Sequence, residues 1–386
     1  MPAAFGWHNP AMKAMKIGPV QLLIIFVACC FTGCIKPYEP PILAEGNKYL
    51  VVEGYLTSGS PTTILLSRTS GLSNKEEIRA EAAAVVTVES QSGTTYTLQE
   101  TTGGEYTAEL DLNTQEHYRL NIKTLDGKNY LSDYVPYKNT PPIDDLSWIQ
   151  KDDNNVYILI NTHDPQNSTW YYKWDYEETW EWRASLSPFV DYVNGEFVPR
   201  TTFPPQRCWG NEKSKDILTA SSVRYGTDII KDHVLTIVPW HSWKITTKYS
   251  ILVKQYALSK EAYEYFQQVK RNSEELGSLF DPQPVELAGN IYYVDAPNEP
   301  VVGFFGAGSV HEQRIFIDNL ELRNWDYNWE CVTRKVPVDS FEYYFGQGRL
   351  APFSYNPLDT TAQGLYNLHC IDCSLRANPV KPDFWE

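Results

Sequence analysis

The sequence lacks an apolar run long enough to span a bilayer, an excess of basic residues and a serine-hydrolase motif. Its uncharged apolar segment at residues 22–31 covers ten residues, whereas a membrane-spanning helix needs about 20. Only 33 lysines and arginines stand against 48 aspartates and glutamates, a net charge of −15. A chain this acidic repels phosphate groups, which argues against nucleic-acid binding. No Gly-x-Ser-x-Gly segment occurs, so the usual nucleophile elbow is missing.

The short apolar run is typical of the central region of a signal peptide. Lys13 and Lys16 precede it, and Thr32-Gly33-Cys34 follows it. Small residues before a cysteine form the cleavage site of a lipoprotein signal peptide, so we expect residues 1–33 to be removed and Cys34 to be acylated. An ordinary secretory leader with a coincidental cysteine is the alternative.

The start of translation and the segment after the cysteine complete this interpretation. The only methionines are Met1, Met12 and Met15, and each is a candidate start. Residues 34–45 are proline-rich and are predicted to form an extended tether. Removal of the leader takes two lysines and no acid, which leaves 31 basic and 48 acidic residues and a net charge of −17.

Cysteine is scarce in the predicted mature chain. Apart from Cys34, the remaining cysteines number four, which fits two disulfides in an oxidising compartment; they are Cys208, Cys331, Cys370 and Cys373. Of the three pairings, we expect Cys370–Cys373 and Cys208–Cys331. A zinc site that includes His369 is the alternative, and the disulfide interpretation predicts no metal and no cofactor.

Alternating apolar residues and turn signals predict a mainly β protein. Residues 46–140 contain five to seven short strands and are predicted to form an immunoglobulin-like β-sandwich. A larger β-sandwich-like domain is expected over 141–325, with one amphipathic helix at about 259–276 that begins after Ser259. Residues 326–386 are predicted to be an irregular segment that carries cysteines.

Two groups of residues are candidates for binding. Trp180 and Trp182 alternate with acids, which makes them the candidates among the tryptophans for reaching solvent and stacking on a ligand. Packing in the core of a sandwich is the alternative, and it is the favoured interpretation for the tryptophans as a group. The segment "DPQP" after the predicted helix is predicted to form a rigid loop, and its Asp281 and Gln283, with the nearby Glu286, are candidate partner contacts.

Acidic pairs do not predict a catalytic site. Asp144 and Asp145, like Glu177 and Glu178, are adjacent in sequence. Adjacent side chains on a strand point to opposite faces, so neither pair forms an acid–base dyad. No catalytic residue is therefore predicted, and we expect a protein that is not an enzyme.

Several segments together resemble a family of uncharacterised Bacteroidota outer-membrane lipoproteins, domain of unknown function 4249. They are the lipobox, "YLVVEGYLT", "TTILLSRT", the stretch from Lys248 to Ile317, and "HCIDC" with "KPDFW". The family defines no catalytic residues. The resemblance implies an outer-membrane location, at the cell surface or the periplasmic face, beside a TonB-dependent receptor.

We therefore expect an anchored binding or accessory module. Its predicted partners are the membrane, through Cys34, a TonB-dependent transporter in nutrient capture, and a glycan or peptide ligand. The alternatives are a structural or adhesive surface protein without a small ligand and, less favoured, an extracytoplasmic hydrolase.

Overall fold

The computed structural model describes residues 49–70, 79–273, 287–327 and 331–386. These residues form a mainly β protein, as the alternating pattern predicts. No helix among them is long and apolar enough to cross a membrane.

The amino-terminal strands build the first sandwich. They are β1 (Leu50–Tyr55), β2 (Pro61–Arg68), β3 (Arg79–Ala80), β4 (Val85–Ser90), β5 (Thr95–Thr102), β6 (Glu105–Glu109), β7 (His117–Lys123), β8 (Asn129–Ser132) and β9 (Val135–Lys138). Strand β5 joins the two layers, because its first half pairs with β4 and its second half with β6. Alternate residues such as Val86, Val88, Leu120 and Ile122 point into the core, which leaves their neighbours on the outside.

The next nine strands build most of the second sandwich and one separate hairpin. They are β10 (Ile143–Gln150), β11 (Val156–His163), β12 (Tyr171–Arg183), β13 (Val190–Val193), β14 (Glu196–Pro199), β15 (Arg207–Lys213), β16 (Leu218–Ser221), β17 (Ile229–Val238) and β18 (Lys248–Ala257). One sheet has the order β10-β11-β17. Strands β15, β12 and β18 are neighbours in the other sheet, in which β16 also pairs with β12.

The predicted helix follows β18. Helix α1 covers Lys260–Ser273, and the Ala262 N–H donates to the Ser259 hydroxyl at 3.1 Å, as expected of an N-cap residue. The last three predicted helical positions, 274–276, lie outside the described residues.

The chain then returns to the first sandwich, which differs from the predicted domain boundaries. Three strands do so, namely β19 (Ile291–Tyr293), β20 (Val302–Gly303) and β21 (Ala307–Gly308). They pair with β8, β1 and β9 respectively. Sequence order alone predicts that residues 291–308 belong to the second domain, whereas β20 and β21 add in parallel to strands about 170–250 residues away.

Strand β22 (Val310–Asp318) completes the second sandwich by pairing with β18. The sheet β15-β12-β18-β22 then faces β10-β11-β17 across one core. Ile158 and Ile160 from one layer share this core with Trp174, Ile251 and Val253 from the other. Three strands packed on four in this order form an immunoglobulin-like sandwich.

The carboxy-terminal segment is not irregular, contrary to the prediction. Strands β23 (Thr333–Pro337), β24 (Ala351–Asn356) and β25 (Thr361–Leu365) form a sheet in the order β23-β25-β24. Phe341 and Phe345 pack under this sheet against Tyr192 and Phe197 of the β13–β14 hairpin. The hairpin supplies the apolar cover that the short strands lack by themselves, and a partner so distant in sequence leaves no local pattern.

Candidate binding surfaces

The two tryptophans predicted to stack on a ligand are core residues. Trp180 is 5% exposed and Trp182 is 1% exposed. Trp180 packs edge-on against Trp243, with ring centroids 4.8 Å apart, and Trp182 packs beside Cys208 and Cys373. The prediction that they reach solvent is therefore wrong.

The reason lies in the second half of β12. Five consecutive residues, from Glu178 to Trp182, are buried, so both faces of the strand are covered there. The carboxy-terminal segment contributes to this cover, since Trp209 of the neighbouring strand bridges to Asn378. Acids that flank a tryptophan indicate exposure only when nothing else covers their side of the strand.

The buried acids of β12 are paired. Glu178 accepts hydrogen bonds from Lys244 and from the Tyr249 hydroxyl, the latter at 2.7 Å. Glu181 accepts from Arg207 at 2.6 Å and from Arg183 at 2.5 Å. Burial acts to raise the pKa of Glu181, but the two guanidinium groups outweigh it and lower that pKa. These contacts tie both buried carboxylates of β12 to neighbouring segments of the sandwich.

The pair Asp144 and Asp145 is split, as the strand geometry predicts. The Asp144 carboxylate lies 2.7 Å from His163 Nδ1, and Asp145 accepts from the Ser147 hydroxyl at 2.7 Å. The hydrogen bond to Asp144 raises the pKa of His163. Each carboxylate thus has its own partner on the surface.

All four described cysteines form disulfides, but the expected pairing is wrong. Cys208 is bonded to Cys373, and Cys331 to Cys370. His369 lies beside the second bond, where one ring nitrogen and both sulfur atoms fall within 4.8 Å of one another. Cys370 and Cys373 sit on successive short helical turns that face different neighbours, and this long-range arrangement cannot be inferred from their spacing.

The remaining predicted site residues are outside the described part of the chain. They are Cys34, Asp281, Gln283 and Glu286. The lipid anchor and the loop contact therefore stay predictions.

The outward face of the sheet β10-β11-β17 carries an apolar patch. Tyr157, on the middle strand β11, pairs with Ile149 of β10 on one side and with Ile237 of β17 on the other. Two residues further along β11, Leu159 pairs with Val234 of β17. We call these five side chains the outer sheet face. Ile149 and Ile237 are 46% and 44% exposed. The solvent side of an antiparallel sheet normally carries polar residues, so this patch indicates a contact surface.

A β-bulge creates this surface. Ile158 is opposite Thr236 while the next residue, Leu159, is opposite Val234, so the register shifts by one residue. Leu235 is buried, and the Thr236 hydroxyl meets the Tyr176 hydroxyl at 3.2 Å inside the sandwich. Two successive residues therefore point inward, and Val234 and Ile237 emerge on the same outer face. A strict alternation read from the sequence misses this.

A shallow cleft of about 580 Å³ lies at one end of the second sandwich. Trp240 and His241, in the turn after β17, form one wall, and Asn324, Trp325 and Asp326, after β22, form the other. The Trp240 indole N–H donates to the Asn324 carbonyl at 3.0 Å and fixes the ring across the cleft. Sequence reasoning did not single out these residues, and the only available signal was the dense "PWHSW" segment at 239–243.

Fold and surfaces together define a mainly β protein of two immunoglobulin-like sandwiches with an exposed apolar patch on one sheet. A family model described as "Domain of unknown function (DUF4249)" matches residues 35–314. The chain therefore belongs to this family, and the resemblance drawn from the sequence is confirmed at that level.

Other comparisons add little. No curated protein matches the chain. A solved structure, the two fibronectin type-III domain segment from chicken tenascin, is 12% identical, and the match covers 54% of this chain and 90% of that one with a TM-score of 0.16. At this TM-score the similarity supports no conclusion about the fold or the function of this protein.

Proposed function

We propose that the protein is a lipid-anchored binding module that docks on an outer-membrane protein through the outer sheet face. The proposal rests on two neighbouring sets of cross-strand pairs on this face. One set is Ile149, Tyr157 and Ile237, and the other is Leu159 and Val234. Side chains directly opposite on neighbouring strands lie about 5 Å apart, so these five form one continuous patch.

The geometry of the patch suits a protein partner. Sheet residues stand on a backbone held by hydrogen bonds on both sides of β11, so little conformational entropy is lost on docking. Tyr157 is already oriented, since its hydroxyl donates to Asp153 at 2.7 Å and the Lys151 ammonium lies 3.8 Å from its ring centroid. An aromatic residue with aliphatic neighbours and polar groups at the edge is the usual composition of an interface core.

The charges beside the patch indicate the partner's complementary surface. Asn161 donates to Asp145 at 3.3 Å and accepts from the Asp232 backbone at 2.7 Å, so two exposed acids mark this end of the sheet. A partner that presents an apolar surface with lysine or arginine at its edge matches this arrangement.

The membrane location of the partner rests on the sequence. The Cys34 lipobox supplies the anchor, and the family resemblance suggests a TonB-dependent transporter as the neighbour. Anchoring both proteins in one membrane raises their effective concentration, so a patch of modest size is sufficient for stable association.

Co-purification from detergent-solubilised outer membranes tests the proposal. We expect a transporter to be recovered with the wild type and lost, by at least about tenfold, with the double variant Ile149→Glu/Ile237→Glu, because two buried charges oppose docking. Val338, which is 58% exposed in the short helical turn after β23, provides the matched control Val338→Glu. Equal recovery with all three proteins contradicts the proposal.

Further experiments distinguish the docking proposal from an adhesive protein and from a hydrolase. Cys34→Ala should release the protein from the membrane while purified domains still bind the partner, so anchor and contact are tested separately. Self-association that depends on Ile149 and Ile237, without another protein, would instead favour the adhesive alternative. Turnover of peptide or glycan substrates would favour a hydrolase.

A further inference from the structure

We propose that the cleft at residues 240–241 and 324–326 binds a neutral saccharide, with the Trp240 ring as its stacking surface. This site is distinct from the outer sheet face and does not depend on the docking proposal. Trp240 is 40% exposed, although tryptophan is the side chain that gains most from burial. Its indole N–H is bonded to Asn324, so the ring cannot turn inward.

The turn that presents the ring has an unusual residue. The Ser242 N–H donates to the Pro239 carbonyl at 3.0 Å, which closes a four-residue turn. Its third residue, His241, has a φ of 63°, a conformation that glycine or asparagine normally supplies in such turns. Non-glycine residues in this conformation concentrate at functional sites.

The imidazole explains why histidine occupies the position. Its ring lies against Trp240, with centroids 3.8 Å apart and an interplanar angle of 29°. His241 Nδ1 also lies 2.9 Å from a carboxylate oxygen of Asp326 and 2.8 Å from its carbonyl oxygen. One side chain therefore stacks on the indole and contacts the carboxylate on the opposite wall. Glycine would satisfy the turn and supply neither contact.

The polar groups of the cleft match sugar hydroxyls. Asp326 is 80% exposed at its side chain and keeps acceptor capacity, while the exposed Asn324 amide both donates and accepts. Asn324 also has a positive φ, at 52°, so both walls hold a residue in the left-handed region. A pyranose has an apolar face, which packs on an aromatic ring, and hydroxyls at its edge, which need hydrogen-bonding partners. The cleft offers both, since it combines the Trp240 ring with the polar side chains of Asn324 and Asp326.

The charges of the cleft favour neutral saccharides over acidic ones. Asp326 lies in the cleft itself, and the whole chain carries a charge of −15. A uronate or sialic acid would bring its carboxylate against Asp326, which is unfavourable. The shallow, open form also fits one or two sugar units of a longer chain better than an enclosed small molecule.

Affinity electrophoresis in gels that contain starch, mannan or xyloglucan, together with an array of neutral and acidic oligosaccharides, tests the proposal. We expect at least one neutral glycan to retard the protein. Trp240→Ala should weaken binding about tenfold, the upper range for one aromatic contact, and Trp240→Phe should keep part of it. Phe203→Ala, which removes an exposed ring elsewhere, should have no effect.

His241→Gly distinguishes a binding role from a structural one. Glycine adopts a positive φ without strain, and this relief offsets the greater freedom that glycine gives the unfolded chain, so the variant should melt near the wild-type temperature. We expect it nevertheless to lose glycan binding, because the stacking on Trp240 and the contact to Asp326 are gone. Wild-type protein that binds no neutral glycan, or binds acidic glycans only, overturns the proposal, as does full binding by Trp240→Ala. Ile149→Glu/Ile237→Glu should bind glycan normally, which keeps this test separate from the docking test.

Discussion

Gly210 lies directly under the Trp180 indole, and this contact tests whether Trp180 is a core residue. A Cβ at position 210 would meet Trp180 Cε2 at 2.4 Å, whereas carbon atoms in contact prefer about 3.5–4.0 Å. Overpacking of this kind costs roughly 1–3 kcal/mol. Replacing glycine also restricts the unfolded chain, which stabilises the folded state by about 0.4–1 kcal/mol. Gly210→Ala should therefore destabilise the protein by about 1–2 kcal/mol, since overpacking is the larger effect.

Thermal unfolding followed by circular dichroism measures this prediction. At about 2–4 °C per kcal/mol for a unit of this size, we expect the midpoint to fall by roughly 2–8 °C. Gly103→Ala is the matched control, because only Ala80 Cβ, at 4.0 Å, comes near the new atom, and it should be neutral or stabilising. In a Trp180→Phe background the cost of Gly210→Ala should shrink, because the smaller ring leaves space. Equal effects at the two glycines, or an unchanged cost beside phenylalanine, would refute the reasoning.

Three more outcomes are expected. Lys244→Met leaves Glu178 buried without its ammonium partner, so urea unfolding should show a loss of about 3–5 kcal/mol. Non-reducing peptide mapping should recover Cys208 with Cys373 and Cys331 with Cys370, and Cys208→Ala/Cys373→Ala should lose about 2–5 kcal/mol of stability. Burial lowers the pKa of His233, so the unfolded chain binds a proton more readily than the folded chain does. The free energy of unfolding should therefore decline as the pH falls below about 6.5, the ordinary pKa of histidine. His233→Gln should make this decline smaller.

Strand periodicity was sufficient to predict the class of fold. Alternation in β7, where Tyr118, Leu120 and Ile122 are buried, follows directly from a sheet with one wet face. The Ser259 cap and the start of α1 were equally local features. Such predictions succeed because the decisive contacts lie within a few residues.

Long-range pairing was not predictable in the same way. Residues 291–308 return to the first sheet, and Cys208 reaches Cys373 across 165 residues. Trp180 and Trp182 are covered by segments distant in sequence, so their acidic neighbours gave the wrong indication of exposure. The outer sheet face depends on a bulge that breaks the two-residue period, and the cleft depends on two loops that only the completed sandwich brings together.

Photocrosslinking in intact cells tests docking through the outer sheet face most directly. A photoreactive phenylalanine analogue placed at Val234, on the β17 side of that face, should crosslink to one outer-membrane protein. The same analogue at Val338, in the short helical turn after β23, should not. No adduct from Val234, or the same adducts from both positions, would contradict the account.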